Sequence, residues 1–375
     1  MEIGAVDMAT APGLVNPKAA SASANASQWQ LIWSRYRKHR LAMIGTVVLL
    51  ILYLLALFSG FVAPYSATAR NADYVNAPPQ RLHFAGLRPY VYDIKQTLDM
   101  KTFRRTYTED QSKPYFIQFF VHGERYKLFG LFATDRHLYG VEDGVVFFFG
   151  TDKLGRDMLS RTLHAASISL SIGLVGVFLA FFLGCLLGGI SGFYGGVADD
   201  IIQRIIEILQ SIPTIPLWMG LSAALPPQWS SIQIYFGITI ILSLIGWAGL
   251  ARVVRGKILE LREEDFVMAA KLSGSGDAKI IGQHLLPGFL SYLIVDMTFS
   301  IPGMIIGETA LSFLGLGIRP PAVSWGVLLQ DAQNIRTISQ QPWLLIPAVF
   351  VIVTVLMFNF VGDGLRDAAD PYKAM

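Results

Sequence analysis

Long apolar runs separated by short polar stretches dominate the hydrophobic pattern of this chain. The first run, LAMIGTVVLLILYLLALFSGFV (41–62), is long enough to cross a bilayer as one helix. No charged residue occurs between positions 208 and 251, which leaves room for two more helices. The paired prolines in LPPQWSS (225–231) separate these two helices, because proline cannot continue a helix. The pattern predicts an all-α polytopic membrane protein with six transmembrane helices, near residues 41–62, 166–189, 205–224, 232–250, 289–312 and 343–361.

Basic residues next to these runs predict the orientation of the chain. RYRKHR (35–40) directly precedes the first run, and lysine and arginine mark the cytoplasmic side of a span. We therefore expect a multi-pass protein with cytoplasmic N- and C-termini. The predicted divisions are a disordered cytoplasmic tail (1–27), an amphipathic approach segment with the first span (28–63), a periplasmic insert (64–161) and a core domain (162–375).

The insert is too long for a plain connection between two spans. YFIQFFV (115–121) and ERYKLFG (124–130) are rich in aromatic and β-branched residues and flank His122 and Gly123, which predicts a β-hairpin with its turn at that pair. We expect a small mixed or β insert, followed by a helix capped by Thr151 or Asp152 that runs into the second span.

Composition agrees with a membrane protein and excludes several other classes. Hydrophobic residues make up 53% of the chain and charged residues 15%, against about 25% charged in soluble domains. A net charge of +3 gives no reason to expect a nucleic-acid partner. The single cysteine and the scattered histidines, without an H-E-x-x-H pattern, predict no metal site.

The polar loop between the fourth and fifth spans, residues 252–287, is the most unusual stretch. Ala269 and Ala270 would give a flat helix face for close packing, and Gly274 and Gly276 permit a sharp turn. Pro287 stands before the fifth span. From these residues alone, the loop is equally a docking element for a soluble protein or an ordinary exposed connection.

This loop resembles the coupling motif of ABC importer permeases, which reads Glu-Ala-Ala, three residues, Gly, nine residues, Ile-x-Leu-Pro. Ala269, Ala270, Gly274 and Pro287 are in register, while Met268 replaces the usual Glu and His284 the usual Ile. Glu264 and Asp265 lie near the missing carboxylate. Further segments resemble the dipeptide/oligopeptide permease group, and in particular an extended subset of it with a large insert: GTDKLGRDMLSR (150–161), GWAGLARVVRG (246–256), ALSFLGLGIRPP with SWG (310–326) and GDGLRDAADP (362–371).

The resemblance implies partners and a mechanism. In that family a second homologous permease completes the pore, two ABC ATPase subunits (or one fused ATPase) hydrolyse ATP, and a periplasmic binding protein delivers substrate across the inner membrane. The chain has no GxxxxGK[ST] motif, so we expect no enzyme activity and no directly bound cofactor. The resemblance implies that ATPase coupling uses Glu264, Asp265, Phe266, Met268, Ala269, Ala270, Gly274, His284 and Pro287.

Two carboxylates in the fifth span are candidates for the substrate pathway, because buried charges in a membrane usually face water or protein. Asp296 could meet a cationic substrate group, or it could bond a neighbouring helix or the partner permease. Glu308 suits a structural role near the outer gate. The segment 150–161 implies a gate or binding-protein contact at Thr151, Asp152, Gly155, Arg156 and Asp157.

The expected substrates are peptides, with oligosaccharides or opines as an alternative for the same machinery. A protein of a different class, a membrane-anchored receptor or scaffold, would make no contact with an ATPase.

Two packing features are also expected. Glycines 184, 188, 192 and 196 suit either static packing or a sliding interface, and Pro213, Pro216 and Pro302 should kink their helices.

Overall fold

The long apolar runs fold as helices in the computed structural model, which describes residues 28–100 and 104–370. The predicted tail (1–27) lies outside these residues, as do residues 371–375. In chain order the helices are α1 (Gln28–Tyr36), α2 (Arg40–Leu57), α3 (Ser59–Val62), α4 (Met158–Tyr194), α5 (Gly196–Ser211), α6 (Thr214–Ala223), α7 (Ser231–Leu261), α8 (Asp265–Leu272), α9 (Asp277–Lys279), α10 (Leu290–Phe313), α11 (Trp325–Gln330), α12 (Ile335–Gln340) and α13 (Ile346–Ala369).

Among the described residues, five helical segments are long and apolar enough to cross a membrane: Arg40–Leu57, Met158–Tyr194, Ser231–Leu261, Asp277–Phe313 and Pro342–Ala369. Several extend beyond the predicted spans. The fourth was expected to end at residue 250, but α7 continues to Leu261 with a charged C-terminal end. The polar loop is correspondingly shorter than 252–287.

The third predicted span, 205–224, is not one straight helix. α5 and α6 meet at an angle of 93°, and the pair counts as a sixth span only if it is taken as a broken one. Ile212 is extended (φ −96°, ψ 131°) and Pro213 follows it, as expected because proline disfavours helical backbone in the residue before it. The predicted kink at Pro213 is therefore a complete break. Pro216 lies in the first turn of α6, and α10 continues through Pro302.

Close packing of α4 against α7 forms the centre of the bundle. Added Cβ atoms at Gly184 and Gly192 would lie 2.9 Å from Leu250 and 2.8 Å from the Arg255 carbonyl oxygen, and one at Gly188 only 2.5 Å from the Ala251 carbonyl oxygen. Three of the four regularly spaced glycines thus allow two helix backbones to approach closely. An added Cβ at Gly196 would have nothing within 4 Å, and this glycine has a positive φ of 56°.

The insert contains two small antiparallel sheets. β1 (His83–Ala85), β2 (Arg88–Asp99) and β3 (Arg104–Phe116) form the first, and β4 (Gln118–Leu128) pairs with β5 (Phe132–Gly140) in the second. The predicted hairpin turn at His122–Gly123 is wrong. β4 runs through this pair with an irregular register between His122 and Tyr126, and the hairpin instead turns at Phe129–Leu131. The β-bulge explains the error, since it interrupts the alternating pattern without ending the strand.

We expect Gly188→Ala to destabilise the chain by about 1–3 kcal/mol, because its new methyl group meets backbone that cannot move aside. Gly256→Ala, on the exposed side of α7 with nothing within 4 Å of an added Cβ, is the matched control and should be neutral or slightly stabilising. Thermal unfolding midpoints of both variants in one detergent measure the difference. Equal midpoints would contradict the close packing of α4 on α7.

Candidate functional site

The polar loop is built around α8, which has one buried and one exposed face. Val267 and Ala270, three residues apart on the helix, are 0% and 8% exposed. They pack on an apolar cluster formed by the ends of the neighbouring helices, which we call the coupling cluster: Cys185, Leu250, Val254, Ile258, Val267, Ala270, Ile280, Leu285, Phe289 and Leu293. This cluster joins α8 to α4, α7 and α10.

Outside its buried face, α8 exposes large apolar side chains, with Phe266 on one flank and Met268 and Leu272 on the side facing away from the cluster. Phe266 is 45% exposed, Met268 48% and Leu272 87%. Ala269 is also exposed, and its small side chain leaves a depression between its larger neighbours. We call Phe266, Met268, Ala269 and Leu272 the coupling face. Such a patch on a polar loop is typical of a surface that another protein covers.

Two exposed carboxylates lie at the N-terminal end of the coupling face. Glu264 precedes the helix and Asp265 is its first residue, so their negative charge lies close to the positive end of the helix dipole. They stand four and three residues before Met268, one helical turn away. Met268 replaces the carboxylate that the family motif usually has. Glu264 and Asp265 can therefore supply a negative charge to the same surface in its place.

Gly274 ends α8 with a Schellman turn. The amide of Ser275 donates to the Ala270 carbonyl oxygen (3.1 Å), and the amide of Gly274 donates to the Lys271 carbonyl oxygen (3.0 Å). Gly274 has a φ of 80°, a conformation that residues with a Cβ rarely adopt. The predicted sharp turn is confirmed at Gly274. Gly276 has an ordinary φ of −68°.

The segment that returns from α8 to the membrane is irregular. Ile280–Leu285 form a π-helical turn and Leu286–Phe289 a 3₁₀ turn before α10 begins. Pro287 lies in this transition, where its missing N–H removes one regular helical bond. His284 is partly buried and Pro287 exposed. This segment includes Ile280 and Leu285, both fully buried in the coupling cluster.

The two carboxylates of the fifth span have different surroundings. Glu308 is fully buried; Ser169 of α4 and Ser312 of α10 donate hydrogen bonds to it at 3.1 and 2.7 Å. The Ser169 hydroxyl also accepts from the amide of Trp325 (3.1 Å), so this network ties α4, α10 and α11 together. These contacts hold the Glu308 carboxylate between the three helices, and its place in the substrate pathway stays a prediction.

Asp296 is partly buried and borders two cavities. One, of about 190 Å³, lies between α4, α6, α7 and α10 and is also lined by Trp218, Met297 and Ser300. The other, of about 720 Å³, lies nearer the coupling cluster and is also lined by Lys257, Tyr292 and Arg366. Among the described residues, no side chain donates a hydrogen bond to the Asp296 carboxylate. The expected bond to a neighbouring helix is therefore not found there.

Comparisons with known proteins agree with this architecture. Residues 165–373 match the family described as binding-protein-dependent transport system inner membrane component, and residues 27–79 match the N-terminal TM domain of oligopeptide transport permease C. The chain belongs to this family of inner-membrane permeases. The predicted ABC importer permease of the dipeptide/oligopeptide group is confirmed, and a receptor or scaffold is not supported.

Individual relatives cover most of the permease. It is 32% identical to the dipeptide transport system permease protein DppC of Bacillus subtilis (strain 168), over 92% of this chain and 86% of that protein. It is 35% identical to DppC of Lactococcus lactis subsp. cremoris (strain MG1363), over 92% and 91%. Among solved structures, the MetNI methionine ABC transporter in an inward-facing conformation is similar with a TM-score of 0.44 and 18% identity, over 56% of this chain and 97% of that chain.

The residues expected to contact a binding protein lie mainly inside the permease. Asp152 is fully buried, accepts from Arg156 Nε at 2.7 Å, and also pairs with Arg161. The Thr151 side chain is fully buried too, and Gly155 packs on the Asn71 backbone. These side chains attach the insert to the start of α4. A contact with a binding protein stays a prediction. Because these side chains are buried, they would affect such a contact only through the shape they give to the loop.

Asp157, rather than Thr151 or Asp152, caps the helix that enters the second span. Its carboxylate accepts from the Ser160 amide at 2.7 Å, and α4 begins at the next residue. Burial raises the pKa of Asp157 to about 6, and the bonds from Ser160 only partly oppose this rise. The expected caps at Thr151 and Asp152 are therefore wrong, because Thr151 bonds Tyr74 and Ala77 of the insert and Asp152 pairs with Arg156 and Arg161.

The sequence did not single out three side chains that the site uses. Val267 forms the buried face of α8, Trp218 lines the smaller cavity at Asp296, and Phe193 lies under the Lys271 ammonium at 5.3 Å from its ring centre. The spacing of Val267 and Ala270 is the one signal that was available. The other two contacts join residues far apart in the chain.

We expect Gly274→Ala to strain the Schellman turn by about 1 kcal/mol or more, because alanine disfavours a φ of 80°. The variant should insert into the membrane normally but lose a large part of its transport. Gly276→Ala is the control, since its φ is ordinary and nothing lies within 4 Å of an added Cβ. Uptake by membrane vesicles with equal permease content measures both. Equal uptake would show that the turn geometry is unimportant.

Proposed function

We propose that this permease imports peptides, driven by ATP that partner subunits hydrolyse. The complex contains a second homologous permease, two ABC ATPase subunits (or one fused ATPase) and a periplasmic binding protein, in a bacterial inner membrane. Both termini and α8 are cytoplasmic in this proposal, supported by the basic run before α2. The peptide substrate is supported by relatives named dipeptide and oligopeptide permeases.

The coupling face is the observation that carries the proposal. A helix of eight residues has one face in the coupling cluster and leaves Phe266, Met268 and Leu272 exposed. An ATPase cleft that covers this face would remove apolar surface from water, which favours binding. Exposed Glu264 and Asp265 supply charge at its edge, the role that Met268 cannot take.

The coupling cluster explains how movement of the ATPase reaches the membrane. α8 joins α7 through a link of three residues, and the segment after it continues into α10. Because protein interiors are close-packed, a push on α8 displaces the cluster and the helix ends that form it together. We propose that the break between α5 and α6, where the two helices meet at 93°, absorbs such a displacement.

Within the permease, we place the cationic end of the substrate near Asp296. A carboxylate inside a membrane protein is costly unless it meets a partner or water. Asp296 borders cavities on both sides of α10, and the adjoining Trp218 Nε1 is buried without an acceptor among the described residues. A free peptide N-terminus carries an ammonium group for the carboxylate and a carbonyl oxygen for an N–H donor.

We expect Leu272→Asp to release the ATPase while the permease remains in the membrane, since a charge in the covered patch would be desolvated without a partner. Leu87→Asp is the control, because Leu87 is 98% exposed on the insert. ATP hydrolysis that copurifies with each tagged permease is the measurement. If Leu272→Asp retains as much ATPase as Leu87→Asp, the coupling face is not the docking surface.

We expect Asp296→Asn to reduce uptake of peptides with a free N-terminus about tenfold or more, and uptake of N-acetylated peptides much less, because only the former carry the cation. ATP-driven uptake by proteoliposomes of the whole complex measures both substrates, with an oligosaccharide for comparison. An equal loss for both peptides would refute the role of Asp296. Uptake of the oligosaccharide in place of peptides would refute the proposed substrate class.

A further inference from the structure

The β4–β5 hairpin exposes an unusual number of large apolar side chains. Phe119 is 64% exposed, Phe120 58%, Phe129 48%, Leu131 78% and Phe132 66%. We call these five residues the hairpin patch. A patch of this kind on a folded domain marks a surface that something apolar covers.

Contacts with the end of the first span fix the position of the hairpin along the axis of that span. The rings of Phe129 and Phe58 are 5.4 Å apart at their centres, at the residue that ends α2. Those of Phe120 and Phe61 are 6.2 Å apart, one helical turn further along. Both ends of β4 therefore lie against the same short stretch of chain, where the apolar span stops.

Polar contacts hold the hairpin in this position. His137 of β5 is buried and its Nδ1 lies 2.6 Å from the Ala63 carbonyl oxygen, just after α3. The ring of Tyr126 covers Gly60, with 2.5 Å between its nearest atom and an added Cβ at that glycine. The hairpin is therefore attached to the span end on both of its strands.

Two members of the hairpin patch, Phe120 and Phe129, therefore contact the end of a span that itself exposes large apolar side chains. Leu54 and Leu57 in the last turn of α2 are 45% and 56% exposed on a helix that crosses the bilayer. A cavity of about 460 Å³ between Leu57, Leu128 and the α4 residues Leu170 and Leu174 opens at the same level. Its largely apolar walls suit an acyl chain.

We propose that the β4–β5 hairpin is a membrane-interface anchor, with the hairpin patch inserted among the lipids of the leaflet at this end of α2. Aromatic residues concentrate at this depth of the bilayer, where their rings tolerate both headgroups and chains. Lys127 and Arg125 are exposed on β4, and their long side chains reach lipid phosphates while the rings remain below. The occupant is the bilayer, and the proposal does not depend on the transported substrate.

Spin labels on two leucines of the insert test this anchor. Leu131 and Leu87 are both highly exposed and both lie at hairpin turns, but Leu87 is outside the patch, between β1 and β2. Each is changed to Cys in a Cys185→Ala background, which removes the chain's single native cysteine. The full chain, with the subunits that copurify with it, is placed in phosphatidylethanolamine–phosphatidylglycerol nanodiscs, and collision rates with oxygen and with a water-soluble nickel chelate are measured.

The anchor predicts an oxygen-to-nickel collision ratio several-fold higher at Leu131→Cys than at Leu87→Cys. Equal ratios at the two positions would place the hairpin patch in water and overturn the proposal. A label at Leu131→Cys shielded from both reagents would also overturn it, since another subunit would then cover the patch. Phe132→Cys repeats the measurement on the next residue if Leu131→Cys does not assemble.

Discussion

Eight residues are too few to keep a helix stable in water by themselves. α8 therefore depends on the coupling cluster, where Val267 and Ala270 are buried among residues of α4, α7 and the segment leading into α10. The same contact that stabilises α8 attaches it to three membrane helices. A partner that binds the coupling face would therefore press on a helix packed against the membrane bundle rather than on an isolated loop, and we propose this contact as the route by which work enters the membrane.

α4 connects this end of the permease with the insert. Its first turn carries Arg161, which pairs with buried Asp152, and its last turn carries Phe193, which lies under Lys271 of α8. The two ends differ in chemistry. Hydrogen bonds and ion pairs around Asp152 and Glu308 demand specific geometry and hold the helices of the insert end together, whereas the coupling cluster is apolar and non-directional. Because α4 packs closely on α7 through Gly188, we expect the pair to move as one body.

The sequence predicted the elements whose signals are local. Long apolar runs located the spans, and Gly274 marked the turn after α8, since its positive φ requires glycine. Predictions failed where tertiary contacts decide the outcome. At Pro213 we expected a kink, but the helix breaks completely at Ile212, and the hairpin turn expected at His122–Gly123 is displaced by a β-bulge. The expected caps fail because Thr151 bonds Tyr74, which is distant in the chain, and Asp152 pairs with Arg161. Of the site, the motif indicated α8, but the buried face at Val267 and the cavities at Asp296 needed the packed structure.

We propose that α8 and α10 move as one rigid unit when the partner ATPase acts. A pair of spin labels is placed at Ser273→Cys, exposed at the C-terminal end of α8, and at Leu314→Cys, exposed at the far end of α10. In the Cys185→Ala background, the interspin distance is measured by pulsed electron paramagnetic resonance in the nucleotide-free and ATP-trapped complex. A rigid unit gives one unchanged interspin distance in both states. A shift or broadening in the ATP-trapped complex would show that the irregular turns at Ile280–Phe289 bend instead, and would contradict it.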